Sequence, residues 1–185
     1  MRPDTLRLLL FEQCNRSCEG CCNKDWDLDN LPVAPFVSYK NYDKIVLTGG
    51  EPMLRPDLVK EVATRIRIAA PNAKIILYTA KTRPLSKLMD VLRYIDGVTV
   101  TLHEQADLEP FLKLKKVVDT IWSYGCTSGE HRWVHKLSFR LNVFSNVILP
   151  DVFISGLWDV RRGYEWIKNC PLPSNEDFMR LERRK

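Results

Sequence analysis

Residues 44–79 read KIVLTGGEPMLRPDLVKEVATRIRIAAPNAKIILYT. Lys44 to Leu47 is a short apolar run, and Lys74 to Thr79 (KIILYT) is a second one. Short apolar runs bounded by turn residues read as buried strands of a parallel sheet. Between them Leu58, Val62, Ile66 and Ala69/Ala70 recur at helical spacing. Pro56 suits the first helical turn, and Pro71-Asn72 ends the helix. Strand, helix and strand of these lengths make a βαβ unit, whose crossover is right-handed.

The same alternation extends in both directions. Leu6 to Phe11 (LRLLLF) reads as a buried strand, and Val98 to His103 (VTVTLH) as another. Pro84 to Ile95 is a helix with Leu85, Leu88, Val91, Leu92 and Ile95 on one face, stopped by Asp96-Gly97. Residues 104 to 118 form a short helix or loop leading into 117–122, and Lys136 to Phe144 (KLSFRLNVF) alternates as a late strand. Ile154 to Lys168 is expected as a closing helix. The chain is therefore expected to be one α/β domain over residues 1–185, with 171–185 a loop and basic tail. Five or six strands are too few for a closed barrel of ~250 residues, so a partial (βα) barrel or an open, mainly parallel sheet fits.

The balance of 45% hydrophobic and 28% charged residues over 185 positions is that of a globular chain able to bury a core without covalent staples. MRPDTLRLLLFEQC lacks the apolar length and cleavage site of a signal peptide, and no window is long enough to cross a bilayer. A cytoplasmic, reducing location and no membrane partner are the expectation. The net charge of +5 is scattered apart from Arg180, Arg183, Arg184 and Lys185, which read as a solvated tail and not as nucleic-acid binding.

Four of the six cysteines crowd into CNRSCEGCC, residues 14–22, directly after the first strand. The C-terminal edge of a parallel sheet is where ligands bind. A disulfide scaffold is not needed at this length. Cys14, Cys18 and Cys21 can hold three corners of a [4Fe–4S] cube, leaving one iron for an exogenous ligand. A zinc site wants four ligands; Cys22 adjoins Cys21 too closely, so Cys126, Cys170 or a histidine would have to complete it. Otherwise Cys22, Cys126 and Cys170 read as buried, inert thiols.

CNRSCEGC followed about thirty residues later by KIVLTGGEP resembles the radical S-adenosylmethionine (SAM) superfamily. The resemblance implies a [4Fe–4S] cluster on Cys14, Cys18 and Cys21, and SAM chelated to the open iron through its amine and carboxylate. It gives Gly49, Gly50 and Glu51 the methionine amine, the glycines letting backbone approach a ligand. Strand-end Thr79, Thr101 and His103 are candidates for the SAM ribose or carboxylate, against ordinary strand-end hydrogen bonding. Arg140 and Asn142 share one face of the late strand and are candidates for SAM or substrate. A one-electron donor of flavodoxin or ferredoxin kind is implied as partner; no catalytic side chain is identified.

The branch of the superfamily is less legible. Where the superfamily usually has an aromatic residue, this chain has Gly20. Cys18-Glu19-Gly20-Cys21 with Asn23, Lys24 and Trp26 resembles the activating enzymes of glycyl-radical enzymes, such as the anaerobic ribonucleotide reductase activase. A small-molecule enzyme of the 7-carboxy-7-deazaguanine synthase kind is the alternative, with residues 145–170 as a cover over its cavity. A zinc- or cluster-stabilised binding module is the non-enzyme alternative. His131 and His135, four apart, would share a helix face but have no acidic partner motif, and a surface location is expected for them.

Overall fold

The computed structural model describes residues 3–128, 132–150, 156–167 and 170–182. Its strands are β1 (Thr5–Leu9), β2 (Val33–Ala34), β3 (Lys44–Thr48), β4 (Lys74–Thr79), β5 (Gly97–Leu102), β6 (Ser138–Phe144), β7 (Trp158–Tyr164) and β8 (Glu176–Leu181). The helices are α1 (Pro56–Ala69), α2 (Leu85–Val91) and α3 (Leu108–Ser128), with short 3₁₀ turns between. Among the described residues none of the helices is long and apolar enough to cross a membrane. Two compact units result, residues 1–78 with 166–185, and residues 79–165.

In the first unit the strands lie in the order β2-β8-β1-β3-β4, all parallel. Register pairs Leu6 with Ile45 and Leu8 with Leu47, and those in turn with Ile75 and Leu77. All six are fully buried, a continuous apolar layer of the sort that drives sheet formation. The helix α1 buries Val59, Val62, Ala63 and Ile66, the stripe that its crossover turns inward. Leu58, expected on that stripe, is only half-buried, because the inward face runs through Val59. On the opposite side of β1, Arg7 donates through Nε and Nη2 to Glu176 Oε2 (3.0 and 2.7 Å). Leu9 on that side packs with Leu28, Leu31, Trp26 and Phe178.

In the second unit β5, β6 and β7 are parallel neighbours. Residues 104–128 resolve into a 3₁₀ turn capped by Glu104 and Asp107 and then one long helix, α3. Phe111, Leu114 and Val118 on α3 are fully buried. Phe111 meets Trp158 edge-on, ring centroids 4.9 Å apart.

Two expectations fail at the C-terminal end. Residues 158–164 are a strand, not part of a helix; Trp158-Asp159-Val160-Arg161 alternates inward and outward with the period of two that a strand imposes. Ile154 lies outside the described residues. Residues 176–181 are not tail but β8, inserted between β1 and β2. Arg180, placed in a solvated tail, donates its backbone N to Pro32 O (2.9 Å) and its Nε to Leu31 O (3.1 Å). The strand count is correspondingly higher than five or six.

Candidate functional site

The cysteine loop leaves β1 and is seated by the end of β3. Beyond the ladder itself, Leu10 N donates to Thr48 O (2.9 Å), Gly50 N to Phe11 O (2.7 Å) and Glu51 N to Gln13 O (2.9 Å). The seam is so close that glycine is required on one side of it. A Cβ on Gly49 would stand 2.4 Å from Phe11 O, and one on Gly50 2.0 Å from Gln13 O. Gly49 also has φ +138°, a conformation that side chains disfavour. The close approach these glycines permit is thus to the chain's own backbone at residues 11–13.

Two side chains of the loop tighten the seating. Asn23 Nδ2 donates to Gly49 O (2.9 Å), and Lys24 Nζ donates to Cys18 O (2.7 Å). Glu51 is buried, and its Oε1 accepts from Met53 N (2.9 Å), capping the 3₁₀ turn Pro52–Leu54. Gly20 lies hard against the Trp166 side chain: a Cβ there would meet Trp166 Cβ at 2.5 Å and Cγ at 2.8 Å.

The crowded thiols divide into two kinds. Cys14, Cys18 and Cys21 are free, Cys14 exposed and the other two half-buried. Burial pushes the Cys18 thiol up, and the neighbouring Cys21 and Cys14 add to this, against a lowering by the Arg16 charge. Cys22 and Cys170 are not inert thiols, as expected from sequence, but a disulfide; proximity imposed by β8 overrides their distance along the chain. Cys170 is thereby removed as a fourth zinc ligand. The side chain of Cys126 lies outside what is described.

Three soft thiolate donors on one loop, with the fourth cysteine of the stretch withheld, fit a cluster that leaves one iron open. Among the described residues no three His, Cys, Asp or Glu side chains stand converged on one point for a metal ion. The donor chemistry fits the cluster.

The remaining candidates lie in the second unit. Thr79 is buried, and its hydroxyl accepts from Lys81 N (2.9 Å) and donates to Lys81 O (3.3 Å), closing the turn after β4. Thr101 and Asn142 are register partners on β5 and β6, so they share a face. Asn142 Oδ1 is buried with no hydrogen-bond partner among the described residues. Arg140 stands on that face too, its Nε donating to Asp159 Oδ2 (3.0 Å), which also accepts from Arg161 Nε (3.2 Å). Burial would push the Asp159 carboxyl up, but the hydrogen bond from Arg140 and the charges of both arginines outweigh it and hold it low. His103 packs edge-on against Phe144 (4.9 Å), its backbone N donating to Asp107 Oδ2 (2.9 Å). His135 lies against Trp122, 4.1 Å between rings, whereas His131 lies outside the described residues.

Sequence reasoning missed Asn23 and Lys24 as seating residues, although their place after the cysteines was visible. It also missed Trp166 and Cys170, for which a separation of about 150 residues along the chain left no local signal.

A thiol loop seated on a glycine-rich strand end, in a parallel α/β frame, defines a radical SAM protein, whose cofactors are a [4Fe–4S] cluster and SAM. More particularly, the chain belongs to the 4Fe-4S single cluster domain family, whose sequence model matches residues 4–118. It is similar to the GTP 3′,8-cyclase of Rippkaea orientalis, 26% identical over 82% of this chain and 50% of that protein. The GTP 3′,8-cyclase of Crocosphaera subtropica is 32% identical over 34% of this chain and 23% of its own length. Molybdenum cofactor biosynthesis protein 1 of Bos taurus is 39% identical over 31% of this chain and 11% of its own. The chain thus spans half or less of these curated relatives. Among solved structures, Streptococcus suis SuiB bound to S-adenosylmethionine is similar with a TM-score of 0.45 and 16% identity, over 77% of this chain and 32% of that one.

Proposed function

We propose that this chain is a radical SAM enzyme acting on a small molecule. The observation that carries the reading is the division of the cysteines: three free thiols on the loop after β1, with their neighbour Cys22 engaged elsewhere. When bound, the cluster and SAM would supply a 5′-deoxyadenosyl radical able to take a hydrogen atom from the substrate.

The protein's part is to hold and orient. Cys14, Cys18 and Cys21 would hold three irons, and Lys24 restrains the loop between them through the Cys18 carbonyl. In this reading the Gly49-Gly50-Glu51 segment faces the methionine amine. Asn23 ties the loop to that segment through Gly49 O. Thr101, His103 and Asn142 remain the proposed contacts to SAM; the unsatisfied Asn142 Oδ1 supports a donor group there. Thr79 is the weakest of the set, since its hydroxyl is engaged with Lys81. A flavodoxin- or ferredoxin-like donor would deliver the electron.

The small-molecule reading is preferred to a glycyl-radical activase because the relatives named GTP 3′,8-cyclase match 82% of the chain in one case. A purine nucleotide such as GTP is accordingly the first substrate to try. The test is anaerobic reconstitution with iron and sulfide, then addition of SAM and a strong reductant. About four irons per chain and release of 5′-deoxyadenosine are expected. Alanine at Cys14, Cys18 or Cys21 should abolish the brown colour. Colourless protein carrying a single zinc ion would sink the enzyme reading. Deuterium transfer from a partner polypeptide in place of a nucleotide would restore the activase.

A further inference from the structure

The disulfide lies outside everything that the proposed chemistry requires. Cys22 adjoins Cys21, and its bond to Cys170 closes a sequence separation of 148 residues across a Cα–Cα distance of 5.3 Å. That distance is an ordinary one for a bridge. It ties the cysteine loop to the residues leading into β8. Between the loop and that lead-in the other fastenings are slight, and Asn23 Nδ2 holds the loop to Gly49 O by one further hydrogen bond. Trp26 Nε1 donates to Cys170 O at 3.2 Å, and the Trp26 ring meets Phe178 edge-on at 5.1 Å. One neutral hydrogen bond and one ring contact are each modest contributions. Cys22 and Cys170 are both half-buried, so a small dithiol has a route to the bond.

We propose that Cys22–Cys170 is a reversible redox latch on the cysteine loop. Oxidised, it fastens the segment Cys18–Trp26 to the lead-in of β8; reduced, it releases that segment to open locally. The reductant is a dithiol. One of its sulfurs attacks a sulfur of the bridge and forms a mixed disulfide, and its second sulfur then resolves it. Two electrons pass to the protein, Cys22 and Cys170 each end as a thiol carrying one proton, and the reductant ends as a disulfide. The consequence for the site follows from adjacency: Cys22 shares a peptide bond with Cys21, so release of one loosens the other. In its effect on cluster retention, though not in its chemistry, the latch rests on the cluster reading.

The test uses the full chain without its cluster. Free thiols are blocked with N-ethylmaleimide after equilibration over graded ratios of reduced to oxidised dithiothreitol, and peptides are mapped by mass. A cross-linked Cys22–Cys170 peptide should be present under oxidising ratios and vanish under reducing ones. Amide exchange in Cys18–Trp26 should then rise by about tenfold, while β3 and α1 keep their protection. The Cys22→Ser/Cys170→Ser double variant should show the fast exchange with or without reductant. Should that variant misfold, the wild-type chain reduced in place gives the same comparison. Maleimide on both cysteines at every oxidising ratio, or loop exchange indifferent to reduction, overturns the latch. A wild-type chain that takes up no iron in either redox state overturns the cluster reading instead, and leaves the latch, read by mass, standing.

Discussion

Replacing Gly50 by alanine strikes the seam on which the cysteine loop sits. The new methyl would lie 2.0 Å from Gln13 O and 2.4 Å from both Gln13 C and Glu12 O. These are main-chain atoms, which cannot rotate aside. Relief requires the end of β3 and residues 11–13 to part by more than an ångström. That breaks the bonds from Gly50 N to Phe11 O (2.7 Å) and from Glu51 N to Gln13 O (2.9 Å). Each is worth ~1 kcal/mol net. Residual backbone strain adds roughly 1 kcal/mol, so the loss is about 3 kcal/mol. In a chain of this size that lowers Tm by roughly 6–12 °C. Urea and thermal unfolding of the cluster-free protein, followed by circular dichroism, measure it. Gly156→Ala is the control, since nothing among the described residues lies within 4 Å of a Cβ there, and it should stay within about 0.5 kcal/mol of wild type. If Gly50→Ala matches that control, the close seam does not exist and the account of the two glycines is wrong.

Glu51→Ala removes the cap on Met53 N and should cost about 1 kcal/mol by urea unfolding. Unchanged stability would mean that the carboxylate serves only a ligand. Cys18 should be alkylated by iodoacetamide more slowly than Cys14 in the cluster-free chain, because burial holds its thiol above the usual range and the thiolate is the nucleophile. Since the fold favours the protonated Cys18, this group subtracts stability as pH rises through the thiol's unfolded value and up to its raised folded one. Equal alkylation rates at the two cysteines across that window would contradict the burial.

The strands β1, β3, β4, β5 and β6 and the helix α1 were legible because each is defined by its own apolar run and its own stops. KIVLT and KIILYT needed no partner to be recognised. By contrast β8 (EDFMRL) has little apolar pattern and only Leu181 buried. It is a strand because a slot with open backbone donors and acceptors exists between β1 and β2, and such a demand has no local signature. The strand β7 did show its alternation at 158–161, but the wrong period was read through it. Its charged Asp159 and Arg161 are tolerated because it stands at the end of the strand order.

For the site, the sequence by itself determined which atoms are available: thiols at 14, 18 and 21, glycines at 49 and 50, a carboxylate at 51. Residue type and short spacing suffice for that, since one loop cannot carry its cysteines far apart. Only the tertiary structure decided how they are allotted. It put Cys170 against Cys22, leaving three thiols free where sequence offered four. It also showed that Gly49 and Gly50 are demanded by the backbone of residues 11–13. Both facts depend on β8 and β3 flanking β1, and so on hydrogen-bond pairing between segments distant along the chain, which no local pattern of side chains encodes.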